Sequence, residues 1–314
     1  MRTLITGGHG FVGGRIGVYL SNNGHQVILG SRKKLEVPNW LPTAVTVVSD
    51  WSSRNSLDSI VKDVDLVIHT SGLNSAECEK NPNEAMQVNG LNTKNLIDAS
   101  VNSGVKNFIY ISTAHVYASP LIGFFDEKSE TKNNHPYAVS HLAGEKAVIT
   151  AGQESDINVL VIRLANAFGY PVTQSVNCWS LFVNQICKQV IENKEITLKT
   201  QGAQKRNFIT IESVTAIIKN LIDQEQIKKL PNIINIGSKN SCSILEMAQF
   251  IQSRSKIVLG YEPKIKFLDS RENLQTYSLE YHSLFENIYE DFLFNFEDET
   301  DKLLVRCKQW FNAP

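Results

Sequence analysis

The chain has 314 residues, 42% of them hydrophobic, and a formal net charge of −1 at pH 7. That length accommodates a large core plus a smaller second one, and the near-neutral balance gives no electrostatic case for nucleic acid or a membrane surface as the main partner. No apolar run approaches the ~20 residues of a membrane helix, and Met1–Thr6 reads as a strand rather than a secretory leader, so a cytoplasmic setting is expected. The five cysteines are scattered and form no Cys-x-x-Cys or Cys/His cluster. That pattern predicts reduced thiols, without a disulfide framework or a metal site.

Leu4 and Ile5 begin the chain as a short apolar strand, which breaks into Gly7, Gly8, Gly10 and Gly13. Helical periodicity then starts at Phe11, Val12, Ile16 and Leu20. A strand, a glycine turn and a helix in that order can cradle a dinucleotide. Glycines let backbone approach a pyrophosphate, and the helix N-terminus offers free N–H groups and a positive dipole end. Further strands are predicted at Gln26–Leu29, Val45–Val48, Leu66–His69, Phe108–Ser112 and Val159–Arg163, with helices near Phe11–Asn22, Ser56–Val61, Glu84–Ser103 and Tyr137–Thr150. Six strands separated by crossovers argue for a parallel sheet covered on both faces. After Asn166 the alternation stops. A helix at Cys178–Ile191, a strand at Glu195–Lys199, a helix at Val214–Ile222 and a strand at Ile233–Ile236 follow, the last pair able to return to the main sheet. Helices at Ile244–Gln252 and Glu299–Phe311 complete the chain.

Several polar segments fall where these strands end. Thr70-Ser71-Gly72 follows the fourth strand, and Asn89 lies in the next helix. Thr113-Ala114-His115 follows the fifth strand, and Tyr137-Ala138-Val139-Ser140-His141 opens the long helix. Asn166 follows the sixth strand, and Arg206-Asn207-Phe208-Ile209 comes later. With the TGxxGxxG loop (Thr6 to Gly13), this series resembles the extended short-chain dehydrogenase/reductase superfamily of nucleotide-sugar epimerases, dehydratases and reductases, from residue 1 to about residue 311. The resemblance implies an α/β fold: a Rossmann-type doubly wound parallel sheet with a second, smaller, discontinuous substrate domain. Residues 1–165 would bind the dinucleotide, with 206–237 returning to that domain, and residues 166–205 and 238–314 would bind a nucleoside-diphosphate sugar.

The resemblance also assigns roles. Tyr137 would be the acid/base and Thr113 would donate a hydrogen bond to the reacting oxygen. Gly7, Gly10, Phe11, Val12, Gly13, Thr70, Ser71, Gly72 and Asn89, with Tyr137 and His141, would surround the cofactor. Asp50 would approach the adenine, and Trp51 beside it would either pack near that ring or cap a core edge. Asn166, Asn177, Arg206 and Arg271 would hold the sugar nucleotide, the two arginines clamping its phosphates. His69 reads as scaffold, and His9, His25, His135 and His282 as surface residues. NAD enzymes place an acid at the end of the second strand. This chain has Ser31 and Arg32 there, suited to a 2′-phosphate, so NADP is expected, with NAD as the alternative.

The chain departs from the family pattern at two histidines. His141 stands where relatives carry the lysine that holds the nicotinamide ribose and lends the tyrosine a positive charge. An imidazole is mostly neutral at pH 7, so Tyr137 should stay protonated further up the pH scale. That favours giving a proton to a nascent alkoxide, and hence reduction of a keto-sugar. Ala114 and His115 replace the Asp-Glu pair of the sugar dehydratases; His115 would serve as a second acid/base with a neutral-range pKa, or bind a sugar hydroxyl. The expected activity is keto-sugar reduction, alone or coupled to epimerisation through His115. The alternatives are an NAD-dependent nucleotide-sugar 4-epimerase and a non-catalytic dinucleotide-binding homologue. Relatives pair as homodimers through the helices carrying Asn89 and Tyr137. Met86, Leu96, Leu142 and Val148 are compatible with such a face, or with a core.

Overall fold

The computed structural model describes residues 1–269 and 278–312. In the first half the elements are β1 (Arg2–Thr6), α1 (Phe11–Asn22), β2 (Gln26–Ser31), β3 (Val45–Val48), α2 (Arg54–Ile60), β4 (Leu66–His69), α3 (Ser75–Lys80), α4 (Pro82–Ala85), α5 (Asn92–Asn102), β5 (Asn107–Thr113), β6 (Gly123–Phe125), α6 (Pro136–Glu154) and β7 (Asn158–Leu164). Then follow β8 (Asn166–Phe168), α7 (Phe182–Asn193), β9 (Glu195–Leu198), β10 (Lys205–Thr210), α8 (Ile211–Asp223), β11 (Ile233–Ile236), β12 (Ser241–Ser243), α9 (Ile244–Leu259), β13 (Lys264–Phe267), β14 (Leu279–Tyr281) and α10 (Phe296–Phe311).

Seven parallel strands form the main sheet in the order β11-β7-β5-β4-β1-β2-β3. The chain winds outward from β1 in one direction and from β4 in the other, which is the Rossmann-type doubly wound arrangement. Its switch point lies between β1 and β4, where Thr6 pairs with His69. Side-chain alternation gives the sheet its two faces. Ile5, Leu29, Ile68 and Ile109 pack with α1 and α8, while Leu4, Ile28, Val67 and Phe108 pack under α2, α5 and α6. The strand Ile233–Ile236 does return to the sheet, parallel to β7.

Beyond β7, a separate core gathers Val183, Ile186, Val190, Met247, Ile251, Leu303 and Leu304 from α7, α9 and α10. A buried ion pair ties that region to α1. Arg15 donates from Nη1 to Glu299 Oε1 (3.0 Å) and from Nη2 to Oε2 (3.3 Å), with its guanidinium over the Tyr170 ring at 3.9 Å. The three-stranded sheet β12-β10-β8 joins the two regions. At three residues each, β8 and β12 are too short for alternation to show in the sequence, and the six-residue β10 is read there only as a polar segment.

Other boundaries also differ from expectation. The helix expected over Glu84–Ser103 is α4, then a π-helical stretch at Met86–Leu91, then α5. The extra residue in that turn carries Asn89 inward without breaking the helix. The helix expected from Cys178 begins at Phe182, because Cys178 lies in the turn before it. Leu96 and Val148 are fully buried in the core of this chain, so they cannot form a subunit face; Met86 is 41% exposed. Among the described residues no helix is long and apolar enough to cross a membrane.

Candidate active site

At the switch point the chain turns from β1 into α1 through Gly7, whose φ of +70° favours glycine. A Cβ on Gly13 would sit 2.5 Å from the Gly7 carbonyl oxygen, so only glycine lets the helix approach this closely. Gly10 is the N-cap of α1. It offers no capping side chain, and no acid lies in the first turn. The leading N–H groups of a twelve-residue helix therefore face a cleft without a protein partner to neutralise them, as a pyrophosphate site requires. The cleft here has a volume of about 460 Å3 and is lined by Gly7, Gly10, Phe11, Val12, Gly13, Ser31, Arg32, Trp51, Thr70, Ser71 and Gly72. These residues can hold a dinucleotide.

Three expected cofactor or substrate contacts lie elsewhere. Asp50 does not line the cleft; its carboxylate accepts from the Ser52 hydroxyl (2.6 Å) and amide (3.0 Å), capping its own turn. Asn89 is wholly buried behind the wall. Its Oδ1 accepts from the Leu73 amide (2.8 Å) and its Nδ2 donates to Ser140 Oγ (3.0 Å), so it fastens the loop after β4 to α6. Asn177, expected at the substrate, lines the dinucleotide end. Trp51 lines the cleft and also packs on the core near His69. Arg271 lies outside the described residues.

The cleft continues into a second cavity of about 400 Å3 over the ends of β5 and β7. Here the remaining expected residues converge: Thr113, His115, Tyr137, His141, Asn166 and Arg206 all line it, with Phe182 and Phe208 as apolar walls. Pro136 starts α6 and His135 caps it, its Nδ1 accepting from the Tyr137 amide (3.2 Å). Tyr137 and His141 then share one helix face with ring centroids 4.6 Å apart. Burial raises the Tyr137 pKa, although a hydrogen bond with the Thr113 side chain opposes the rise. Thr113 Oγ1 also accepts from the His115 amide (3.1 Å), which holds the hydroxyl in place.

His141 is buried, and burial pushes its pKa down to about 4. No ammonium-like charge therefore stands beside Tyr137 at this position near pH 7. His115 is also held below its ordinary value, first by burial and then by the nearby Arg206 cation, while a hydrogen bond with Asn166 opposes this. The neutral-range pKa expected for His115 is thus corrected downward: it rests as a neutral imidazole, a hydrogen-bond partner or base rather than an acid. Arg206 has no carboxylate partner among the described residues, and burial lowers its pKa. A half-buried cation of this kind fits an anionic ligand.

The histidines set aside as surface residues are mostly not so. His9 lines the dinucleotide end, edge-on to Trp40 with ring centroids 5.9 Å apart. The His25 side chain is 7% exposed and its Nε2 lies 3.5 Å from Asp223. Nothing in residue type or spacing signals these positions; they follow from where the loops fold back.

His69 and His141 give the protein an acid limit. The folded pKa of His69 is about 3 and that of His141 about 4, both below the unfolded value of ~6.5. Below pH ~6.5 the unfolded chain binds protons that the folded chain refuses, so their contribution is complete above that pH and is lost as pH falls. Each histidine removes stability at a slope approaching about 1.4 kcal/mol per pH unit. Thermal melts between pH 7.5 and 5 should show a falling Tm, and His141→Gln should flatten part of the fall. A Tm independent of pH over that range contradicts the buried neutral state.

The profile of the NAD dependent epimerase/dehydratase family matches residues 3–237. A dTDP-D-glucose 4,6-dehydratase of Dictyostelium discoideum is 26% identical over 273 residues, which is 80% of this chain and only 61% of that relative. The low-salt glycan biosynthesis protein Agl12 of Haloferax volcanii is 25% identical over 280 residues, 86% of this chain and 87% of the relative. Among solved structures, the UDP-glucuronic acid 4-epimerase of Bacillus cereus in complex with UDP-glucuronic acid and NAD aligns with a TM-score of 0.78. That alignment covers 99% of this chain and all of the other at 21% identity, a likeness of fold. The glycine turn at the switch point, the tyrosine facing Thr113 and a profile match over three quarters of the length agree: the chain belongs to the NAD dependent epimerase/dehydratase family.

Proposed function

We propose that this chain is an NAD(P)-dependent oxidoreductase that reduces a keto group on a nucleoside-diphosphate sugar. A bound nicotinamide dinucleotide supplies the hydride. Tyr137 gives its phenolic proton to the oxygen of the carbonyl as that oxygen becomes an alkoxide, and Thr113 steadies the same oxygen. Arg206 meets the diphosphate, while Asn166 and the neutral His115 meet sugar hydroxyls. The loop and helix around Phe182, with β8 and β10, supply the sugar-nucleotide side, and the main sheet supplies the dinucleotide side. Ser31 and Arg32, at the adenosine end of the cleft, favour a 2′-phosphate and therefore NADP. NAD is the alternative, and it is the cofactor of the Bacillus cereus epimerase named above.

The observation that carries the direction of reaction is the buried imidazole of His141 packed against the Tyr137 ring on α6, with centroids 4.6 Å apart. Burial keeps the Tyr137 phenol protonated, and His141 is a neutral imidazole where a cation would draw the proton off. A phenol suits reduction, whereas a 4-epimerase must first pull a proton from a hydroxyl. The epimerase reading is supported by the names of the relatives and structural neighbours. Dehydration is disfavoured by Ala114 and His115 in place of an acid pair.

One assay separates the readings: keto-sugar nucleotides with NADPH or NADH, followed by absorbance and product analysis. Loss of reduced dinucleotide is expected, faster with NADPH. Sugar inversion without consumption of reductant would establish the epimerase instead, and binding with neither would establish a non-catalytic role. His141→Lys should move the alkaline limb of the pH–rate profile to lower pH, because the new ammonium favours tyrosinate. An unmoved profile removes the argument for direction.

A further inference from the structure

Tyr110, on β5, is 1% exposed and touches no ligand-facing surface, yet its hydroxyl lies 2.9 Å from His141 Nδ1. Its ring is stacked between those of His69 (5.4 Å) and His141 (5.9 Å). The hydrogen bonds around it decide where each proton sits. The Thr93 hydroxyl donates to the Asn89 carbonyl at 2.7 Å, which uses its only hydrogen. At 2.9 Å from His69 Nε2, Thr93 Oγ1 can then only accept, so His69 carries its proton on Nε2. His69 Nδ1 is left to accept from the Thr6 hydroxyl at 2.6 Å. The same accounting reaches Tyr110. Its hydroxyl lies 2.9 Å from His141 Nδ1 and 3.5 Å from the Asn89 carbonyl, with the Thr93 side chain, already engaged by His69 and Asn89, also beside it. The short contact takes the phenolic hydrogen.

We propose that Tyr110 is a positioning residue that fixes His141 as the Nε2–H tautomer and turns that N–H into the cleft. His141 lines the cavity beside Tyr137, and its hydrogen bond among the described residues runs through Nδ1, which leaves Nε2 for a ligand. A buried tyrosine therefore equips an imidazole to offer one directed hydrogen-bond donor where relatives offer an ammonium. The opposite tautomer would turn a bare lone pair toward the cleft and leave the Tyr110 hydrogen to the Asn89 carbonyl at 3.5 Å or to the already engaged Thr93 hydroxyl, both poorer acceptors than His141 Nδ1 at 2.9 Å. The donor's target, a ribose hydroxyl of the dinucleotide, rests on the reading under Proposed function; the tautomer does not. Gly144 makes the arrangement possible, since a Cβ there would lie 2.8 Å from the Tyr110 hydroxyl.

The test begins on the ligand-free protein. In 15N-histidine-labelled chain, long-range 1H–15N correlation distinguishes a protonated ring nitrogen from a bare one, and loss of one signal set in His141→Gln assigns His141 among the seven histidines. The expected result is Nε2–H in the wild type and exchange between both tautomers in Tyr110→Phe. A proton fixed on Nδ1 in the wild type overturns the proposal. Dinucleotide affinity is then measured by fluorescence without turnover. Tyr110→Phe should weaken it about five-fold, the scale of one net hydrogen bond, but should have little effect in the His141→Gln background. An equal loss in both backgrounds means Tyr110 acts only through packing and also overturns the proposal. A wild type with the Nε2–H tautomer that binds no dinucleotide overturns the cofactor reading, and with it the ribose target.

Discussion

Tyr137→Phe should lower kcat for keto-sugar reduction by about 10³-fold, within the 10²–10⁴ range of a positioned proton donor. KM for both ligands should change little. The phenyl ring keeps the packing against His141 and the helix N-terminus that His135 caps, so the fold has no reason to alter. Only the hydroxyl facing Thr113 is lost. With it goes the proton for the alkoxide, which must then come from water in a cavity with apolar walls. Steady-state kinetics of folded variant, checked by circular dichroism, gives the answer. Retention of a tenth or more of the wild-type kcat would show that Tyr137 does not deliver the proton.

Glu145→Ala should destabilise the protein by about 3–5 kcal/mol, the cost of stranding one partner of a buried ion pair. Glu145 lies two turns after Tyr137 on α6. Arg163 on β7 donates to it from Nε (3.1 and 3.2 Å) and Nη2 (2.7 Å), and the Ser112 hydroxyl adds a bond at 2.5 Å. Burial opposes the Arg163 charge, yet Glu145 holds the guanidinium protonated, above its ordinary range. Remove the carboxylate and that cation remains in the core, over the Tyr117 ring at 4.8 Å. Against a total stability of ~5–15 kcal/mol, the loss should appear as a Tm lower by roughly 5–8 °C. The pair Glu145→Leu/Arg163→Leu should recover much of it, because no charge is left to desolvate. A single variant with an unchanged melt would show that water reaches Arg163. Since α6 also carries Tyr137 and His141, the single variant should lose activity alongside stability.

Much of the first half was legible in the sequence. The glycine turn, the strand-helix alternation and the order of the polar segments gave the sheet, its switch point and most of the cavity lining. Tyr137, Thr113, His115, His141, Asn166 and Arg206 come together although they span nearly a hundred residues, because β5 and β7 end at the same edge of the sheet, where α6, β8 and β10 meet them. The i, i+4 spacing of Tyr137 and His141 was also readable as one helix face. Asp50, Asn89 and Asn177 were misplaced because a motif gives a position in the chain but not the direction of a side chain. Tyr110 was missed because an aromatic residue in a buried strand looks like core.

The sequence by itself determined a dinucleotide cleft at the head of a parallel sheet, since glycine spacing and hydrophobic alternation are local, short-range properties. Tertiary structure alone decided the protonation of the site. Whether His141 and His115 carry charge depends on burial and on partners such as Tyr110, Asn166 and Arg206, which lie far away along the chain. Desolvation and hydrogen bonding act through space, and no pattern of residue types records them before the chain has folded.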